Sequence, residues 1–130
     1  GATRRDFPGG WAGDAVNAFT GAGLTAQQKD MQAFVRTLGT WRRTQSTVHH
    51  GKLMHFVPEN GTYAWFRYDQ HSKVMVVINK NATETALDLR RFAEVFTSPV
   101  AALDVLAGRR VELGATVVLP PRSVKIFEVR

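Results

Sequence analysis

The sequence predicts a mainly β fold, an antiparallel sandwich or barrel that follows one amphipathic helix and an irregular N-terminal segment. Three observations lead to this prediction. Short apolar runs separated by turn residues recur from residue 49 to the end, as in antiparallel sheets. Residues 25–43 carry apolar side chains at helical spacing. Residues 2–23 contain five glycines, one proline and few large apolar groups.

The N-terminal segment and the helix can be justified from local chemistry. Phe7, Trp11 and Phe19 are the only large apolar side chains of residues 2–23, so this segment needs a partner surface. Thr25 followed by Gln28 is a capping box, which predicts a helix start. The helix is expected to end at Arg43 and to bury one apolar stripe, formed by Met31, Phe34, Val35, Leu38 and Trp41.

The remaining chain is predicted to contain short strands joined by tight turns. Residues 58–62, 69–72 and 107–108 have turn composition. Val74–Ile78 is apolar at every position, which indicates a central strand, and residues 90–96 indicate a helical turn. The predicted strands are Lys52–Val57, Tyr63–Tyr68, Lys73–Asn79, Thr85–Asp88, Leu103–Leu106, Arg109–Leu113, Thr116–Leu119 and Ser123–Val129.

Composition argues against several classes of protein. The net charge is +6, but the basic residues are scattered pairs without a basic helix face or an aromatic RNA-reading motif, so no nucleic-acid partner is expected. The longest apolar run is far too short to span a bilayer, so no membrane insertion is expected. With no cysteine there is no disulfide framework, which fits a reducing compartment or an exported bacterial protein without disulfides.

The residues that carry chemistry do not form a recognisable catalytic or metal site. The four histidines lack a metal-ligand spacing, and neither a phosphate loop nor a serine-hydrolase motif is present, so no metal or cofactor is expected. Asp6 and Asp14 are candidates for a carboxylate pair, but turn formation is the more frequent role of such residues. Tyr63, Trp65 and Tyr68 form either a sugar-stacking platform or, more commonly, packing contacts.

Several motifs together resemble the neopullulanase and cyclomaltodextrinase-like members of the α-amylase superfamily. The opening residues 4–11, Arg-Arg-Asp-Phe-Pro-Gly-Gly-Trp, resemble the segment after the eighth strand of the catalytic barrel. The helix ending in Trp41-Arg42-Arg43 resembles the last barrel helix, and residues 48–53 resemble its exit. Residues 76–79 and 119–124 resemble the all-β C-terminal domain of these enzymes.

This resemblance implies a Greek-key β-sandwich C-terminal domain at residues 48–130, preceded at residues 1–47 by the last loop and helix of a TIM barrel. It implies an upstream barrel as partner, which cleaves α-glucans by a retaining mechanism with its catalytic carboxylates before residue 1. No catalytic residue and no cofactor is then expected in this chain. Arg4 resembles the sugar-binding arginine of the last barrel loop.

The resemblance leaves other properties open. A periplasmic or cell-surface bacterial location is suggested only by the resemblance. The apolar stripe of the helix predicts that self-association is possible when the barrel is absent. The alternative from a different class is a freestanding carbohydrate-binding β-sandwich, which leaves the opening motif and the helix unexplained.

Overall fold

A computed structural model of the chain describes residues 6–130. The chain divides into two compact units, the first ending at Gly39 and the second beginning at Thr40. Each unit is described by itself below.

The first unit contains a loop and most of the long helix. Within the loop, Asn17 Oδ1 accepts hydrogen bonds from the backbone N–H groups of Phe19 and Thr20 at 2.9 and 3.0 Å. The rings of Phe7 and Phe19 lie edge to face, with centroids 5.3 Å apart. The loop is therefore organised by its own turn contacts, although its large apolar side chains stay exposed.

The predicted long helix is confirmed as α1, Ala26–Arg43. Thr25 and Gln28 form the expected capping box: the Gln28 N–H donates to Thr25 Oγ1 at 3.2 Å, and the Thr25 N–H donates to Gln28 Oε1 at 2.8 Å. A second, short helix, α2 (Ser46–His50), was not predicted. Neither helix of the described residues has the length and apolar character needed to cross a bilayer.

The strands agree closely with the predicted ones. They are β1 (Lys52–His55), β2 (Thr62–Tyr68), β3 (Lys73–Asn79), β4 (Thr85–Asp88), β5 (Val100–Asp104), β6 (Arg109–Leu113), β7 (Thr116–Leu119) and β8 (Ser123–Val129). A 3-10 turn at Leu89–Phe92 occupies the start of the expected helical turn. The prediction for β5 was wrong, because the strand ends at Asp104. The Asp104 carboxylate accepts the N–H of Ala107 at 3.1 Å, and Gly108 has φ 64, so a turn begins there.

The strands form two antiparallel sheets, which confirms the predicted β-sandwich. Six strands pair in the order β1-β2-β3-β8-β5-β6, and β4 pairs with β7 in a second sheet. The last strand returns to lie between β3 and β5, a non-local pairing of Greek-key type. The predicted central strand is central, since β3 is paired on both sides along its whole length.

The core lies between the two sheets. Alternate residues of the large sheet point inward and pack against side chains of the small sheet and the 3-10 turn. Phe66 and Phe92 are fully buried, with ring centroids 5.3 Å apart, and Phe56 packs on both. Full burial of each such side chain stabilises the fold by about 1.5–3 kcal/mol.

A buried amide closes one end of the sandwich. The side chain of Asn79, 1% exposed, donates to the carbonyl oxygens of Thr83, Leu119 and Pro120 at 3.2, 3.3 and 2.9 Å. Its Oδ1 accepts the backbone N–H of Asn81 at 3.0 Å. One side chain thus joins the end of β3 to the turns that flank β4 and β7.

Candidate functional site

The sequence-predicted site residues are not brought together by the structure. Arg4, the proposed sugar-binding residue, lies outside the described residues. Asp14 has the expected turn role, because its Oδ2 accepts the backbone N–H groups of Gly9 and Trp11 at 2.8 and 3.2 Å. Asp6 is exposed.

The described histidines do not converge with other ligand groups. The rings of His49 and His50 lie edge to face, with centroids 5.9 Å apart. Within residues 6–130, no group of three or more His, Cys, Asp or Glu side chains is arranged to hold a metal ion.

The aromatic side chains of β2 lie on different faces of the sheet. Tyr63 and Trp65 share the face turned away from the core, with ring centroids 5.2 Å apart and planes inclined by 32°. Tyr68 packs against the core, so the packing interpretation is confirmed for this residue, and the three aromatic side chains do not share one surface. The reason is the two-residue period of a strand, which places positions 63 and 68 on opposite faces. Because the rings of Tyr63 and Trp65 pack on each other, each covers part of the other's face.

Three open cavities mark the surface of the β unit. The one beside Tyr63 has a volume of about 330 Å³ and is lined by the β1–β2 turn together with Ile78 and Lys80. Its acidic residue, Glu59, is paired with Arg91 at 2.8 Å. Another cavity, of about 240 Å³, lies beside Glu128 and Arg130. The third, about 490 Å³, lies beside His50 and Asp69. None of these cavities brings together an acid, a base and a nucleophile.

The most distinctive surface is the side of the large sheet that points away from the core, here called the outer face. Its residues on β1, β2, β3 and β8 are Leu53, His55, Tyr63, Trp65, Arg67, Val74, Val76, Ile78, Val124, Ile126 and Glu128. Val74 and Ile126 are buried although they do not belong to the core cluster, whereas Ile78 is 40% exposed. The outer face is therefore apolar and only partly covered.

A buried carboxylate anchors the end of α1 to the outer face. Glu128 is 3% exposed; its Oε2 accepts the indole N–H of Trp41 at 3.0 Å, and its Oε1 accepts Nε of Arg130 at 2.6 Å. Both oxygens of this carboxylate are thus paired, which offsets much of the cost of burying its charge. Trp41 was predicted as part of the apolar stripe, and its bond to Glu128 shows what the indole contacts.

A second charged side chain of the outer face has no such partner. Among the described residues, the Nε atom of Arg67 is buried and makes no hydrogen bond. Its neighbours in register are Leu53 on β1 and Val74 on β3, both apolar. Sequence reasoning missed Arg67 because a single arginine in a strand carries no motif.

The segment after α1 is tied to the β2–β3 turn by a small polar cluster. The buried hydroxyl of Thr47 donates to Asp69 Oδ2 at 2.8 Å and also contacts the Ser72 hydroxyl. The other oxygen, Asp69 Oδ1, accepts the backbone N–H groups of His71 and Ser72 at 2.8 and 2.9 Å. The N–H groups of His71 and Ser72, followed by the Thr47 hydroxyl, lower the pKa of Asp69 below its ordinary value.

Comparison with known proteins agrees with this architecture. The family model described as the cyclo-malto-dextrinase C-terminal domain matches residues 53–128, more than half of the chain. The chain belongs to this family. The match covers β1 to β8 almost completely, so the large sheet, its outer face and the small sheet are all features of a cyclo-malto-dextrinase C-terminal domain. It does not favour a freestanding carbohydrate-binding module.

Three solved structures share this fold. AmyP in complex with maltose matches 88% of this chain and 23% of its own, at 16% identity and a TM-score of 0.72. The α-amylase of Geobacillus thermoleovorans complexed with acarbose matches 83% of this chain and 24% of its own, at 14% identity and a TM-score of 0.66. The trehalulose synthase MutB of Pseudomonas mesoacidophila matches 75% and 17%, at 20% identity and a TM-score of 0.58.

These likenesses show that the fold of this chain recurs in much larger proteins. The chain spans less than a quarter of the length of each of these three proteins.

Proposed function

We propose that this chain is the C-terminal part of an α-amylase-family glycoside hydrolase and contains its β domain, which is attached to a catalytic TIM barrel that cleaves α-glucosidic bonds in starch-like substrates. The match of the family model to residues 53–128 carries this proposal. Supporting it, three larger enzymes share this fold over a minor part of their length. In this proposal residues 1–47 complete the barrel and residues 48–130 form the β domain.

The proposed role of the β domain is to hold and cover part of the barrel through its outer face. Trp41, in the last turn of α1, donates to Glu128 on this face. The apolar side chains that remain partly exposed there, such as Ile78, supply area for a second surface. Burying each of them would contribute on the order of 1 kcal/mol to domain association.

The chemistry itself is assigned to residues outside this chain. Retaining glycoside hydrolysis needs two carboxyl groups about 5–5.5 Å apart, one as nucleophile and one as acid and base. The described carboxylates that have hydrogen-bond or ion-pair partners accept backbone N–H groups in turns, form ion pairs, or accept the indole N–H of Trp41. Arg4 is proposed to contact the substrate in the last barrel loop, and no catalytic residue is proposed here.

The test is to express the complete reading frame that contains this chain and to measure reducing-sugar release from starch, pullulan and cyclodextrin. We expect turnover by the longer protein and the rate of a buffer blank for this chain alone. Arg4→Ala in the longer protein should raise KM more than it lowers kcat, with Arg109→Ala as the control at an exposed strand position. Absence of glycosidase activity in the longer protein would contradict the proposal.

Self-association of the isolated chain is also proposed, because Met31 and Val35 of α1 are 60% and 59% exposed. Sedimentation over a range of concentrations tests it, and a monomer at every concentration would contradict it.

A further inference from the structure

Strand β6 forms one edge of the large sheet, and among the described strands it pairs only with β5. On the open side of an edge strand, the N–H and C=O groups of alternate residues have no strand partner, so they can pair with a strand of another chain. Arg109, Arg110 and Glu112 of β6 are exposed, and Val111 is half-buried. The open side of β6 is therefore accessible to a second strand.

Two charged side chains of opposite sign flank the middle residue of β6. Val111 packs against the core cluster, so its neighbours Arg110 and Glu112 point to the outer face. Their register neighbours on β5 are Leu103 and Ala101, which are apolar. Neither charge forms an ion pair with another side chain of residues 6–130. Both charges are therefore available to a partner.

A second copy of β6 carries the charges that fit this pattern. In a twofold-symmetric contact between identical chains, residue i lies opposite residue j and j lies opposite i. When two copies of β6 pair antiparallel with Val111 opposite itself, Arg110 of each copy lies opposite Glu112 of the other. Directly opposite residues have Cβ atoms about 4.5–5.5 Å apart, which is within reach of an ion pair. This single register therefore creates an ion pair on each side of the twofold axis.

We propose that two copies of this chain form a symmetric dimer by antiparallel pairing of β6 with β6 about Val111, held by the Arg110–Glu112 ion pairs. The large sheet then continues from one copy into the other, with both outer faces on the same side. Because β6 is only five residues long, the contact belongs to the small, transient class of interfaces. The inference goes beyond the proposed function, since the partner is the chain itself and no substrate is involved.

The other strand edges do not carry a self-complementary pattern. Strand β1, the opposite edge of the large sheet, has Lys52 and His55 but no carboxylate. In the small sheet, β7 has no charged residue, and Asp88 of β4 is already paired with Arg90 at 2.7 Å. Charged residues on an edge strand normally prevent pairing with other chains. In β6 the order arginine, valine, glutamate instead places opposite charges together when a second copy pairs.

The experiment reverses the two charges singly and together in this chain and measures its association by sedimentation equilibrium. We expect the wild type to dimerise reversibly. Arg110→Glu or Glu112→Arg alone would place like charges opposite each other on both sides of the axis, and should weaken the dimer by about tenfold or more. Lys80→Glu, at an exposed position just after β3, changes the net charge as Arg110→Glu does and should leave the dimer unchanged.

Restoring the complementary charges should restore the dimer. The double variant Arg110→Glu with Glu112→Arg has the same pattern with the signs exchanged, so it should associate like the wild type. An equimolar mixture of the two single variants should form mixed dimers, because one copy then carries two carboxylates and the other carries two guanidinium groups. High salt should weaken the wild-type dimer, since its ion pairs are exposed.

An introduced cysteine tests the register. The chain has no cysteine, so Val111→Cys supplies one thiol per copy, and the proposed pairing places the two thiols opposite each other. Mild oxidation should link them into a covalent dimer. Val57→Cys, at a position that is 80% exposed, is the control and should cross-link only as fast as chance collisions allow.

Three results would overturn the inference. They are a wild type that stays monomeric up to millimolar concentration, association that is unchanged in both single variants, and a mixture of the single variants that remains monomeric. Unchanged association would place the contact on another surface, such as the exposed stripe of α1. Thermal unfolding of each variant is recorded in parallel, and the Tm should stay close to that of the wild type because both charges are exposed.

Discussion

Removal of the Asn79 amide should destabilise the β unit more than any exposed substitution. The side chain is 1% exposed and connects β3 with three carbonyl oxygens and one backbone N–H of neighbouring turns. In Asn79→Ala, the Asn81 N–H loses its acceptor and the Leu119 carbonyl oxygen loses the amide donor, whereas the Pro120 carbonyl oxygen keeps the Ser123 hydroxyl. At about 1–3 kcal/mol for each unsatisfied buried group, we expect a loss of about 3 kcal/mol.

Asn79→Asp tests which end of the amide faces the carbonyl groups. The new carboxylate would lie against the oxygens that now accept from Nδ2, so this variant should be less stable than Asn79→Ala at pH 7. Burial would raise the pKa of the introduced carboxyl above its unfolded value. The native state then binds the extra proton, so the free energy of unfolding should rise as pH falls.

The assay is urea unfolding followed by tryptophan fluorescence, with Gln70→Ala as an exposed control. For a unit of this size, a loss of about 3 kcal/mol corresponds to a Tm lower by more than about 10 °C. A free energy of unfolding for Asn79→Ala within about 0.5 kcal/mol of wild type, or an Asn79→Asp loss that does not change with pH, would refute the reasoning.

Two further substitutions test the segment that enters the sheet. Gly51→Ala should lower the Tm of the chain, because an added Cβ would lie 2.8 Å from the Tyr68 carbonyl oxygen and closer still to that of Thr47. The matched change Gly39→Ala should instead stabilise the folded chain by about 0.5–1 kcal/mol, because an added Cβ there would meet no atom within 4 Å. Equal effects of the two changes would contradict this reading of the contacts. Asp69→Asn should remove a contribution to the free energy of unfolding that depends on pH. Because the pKa of Asp69 is lowered on folding, this contribution is present above the unfolded pKa of about 3.8 and is lost as pH falls. Unfolding midpoints measured from pH 7 to pH 3 check this, and a wild type and variant that lose stability in parallel would count against it.

Local elements were predictable because their signals are local. The capping box at Thr25 and Gln28 determines where α1 begins, and its hydrogen bonds are present in the structure. The apolar run of β3 indicated a central strand, and β3 is paired on both sides. In contrast, α2 is only five residues long, and Gln45 before it makes no side-chain capping bond, so neither a start signal nor a period marked it.

Local patterns in the sequence were enough to predict the mainly β class, most strand positions and, through the motifs, the resemblance to the family that the comparison shows. Which strands become neighbours could not be predicted in this way, because the pairing of β8 with β3 and β5 joins residues far apart in the chain. It also decided the roles of the outer face. Alternation along a strand shows that Tyr63, Trp65 and Arg67 share one face, but not which face packs in the core. That choice depends on long-range packing. In the resulting structure Glu128 is paired with Trp41, whereas the Nε atom of Arg67 has no hydrogen-bond acceptor among the described residues.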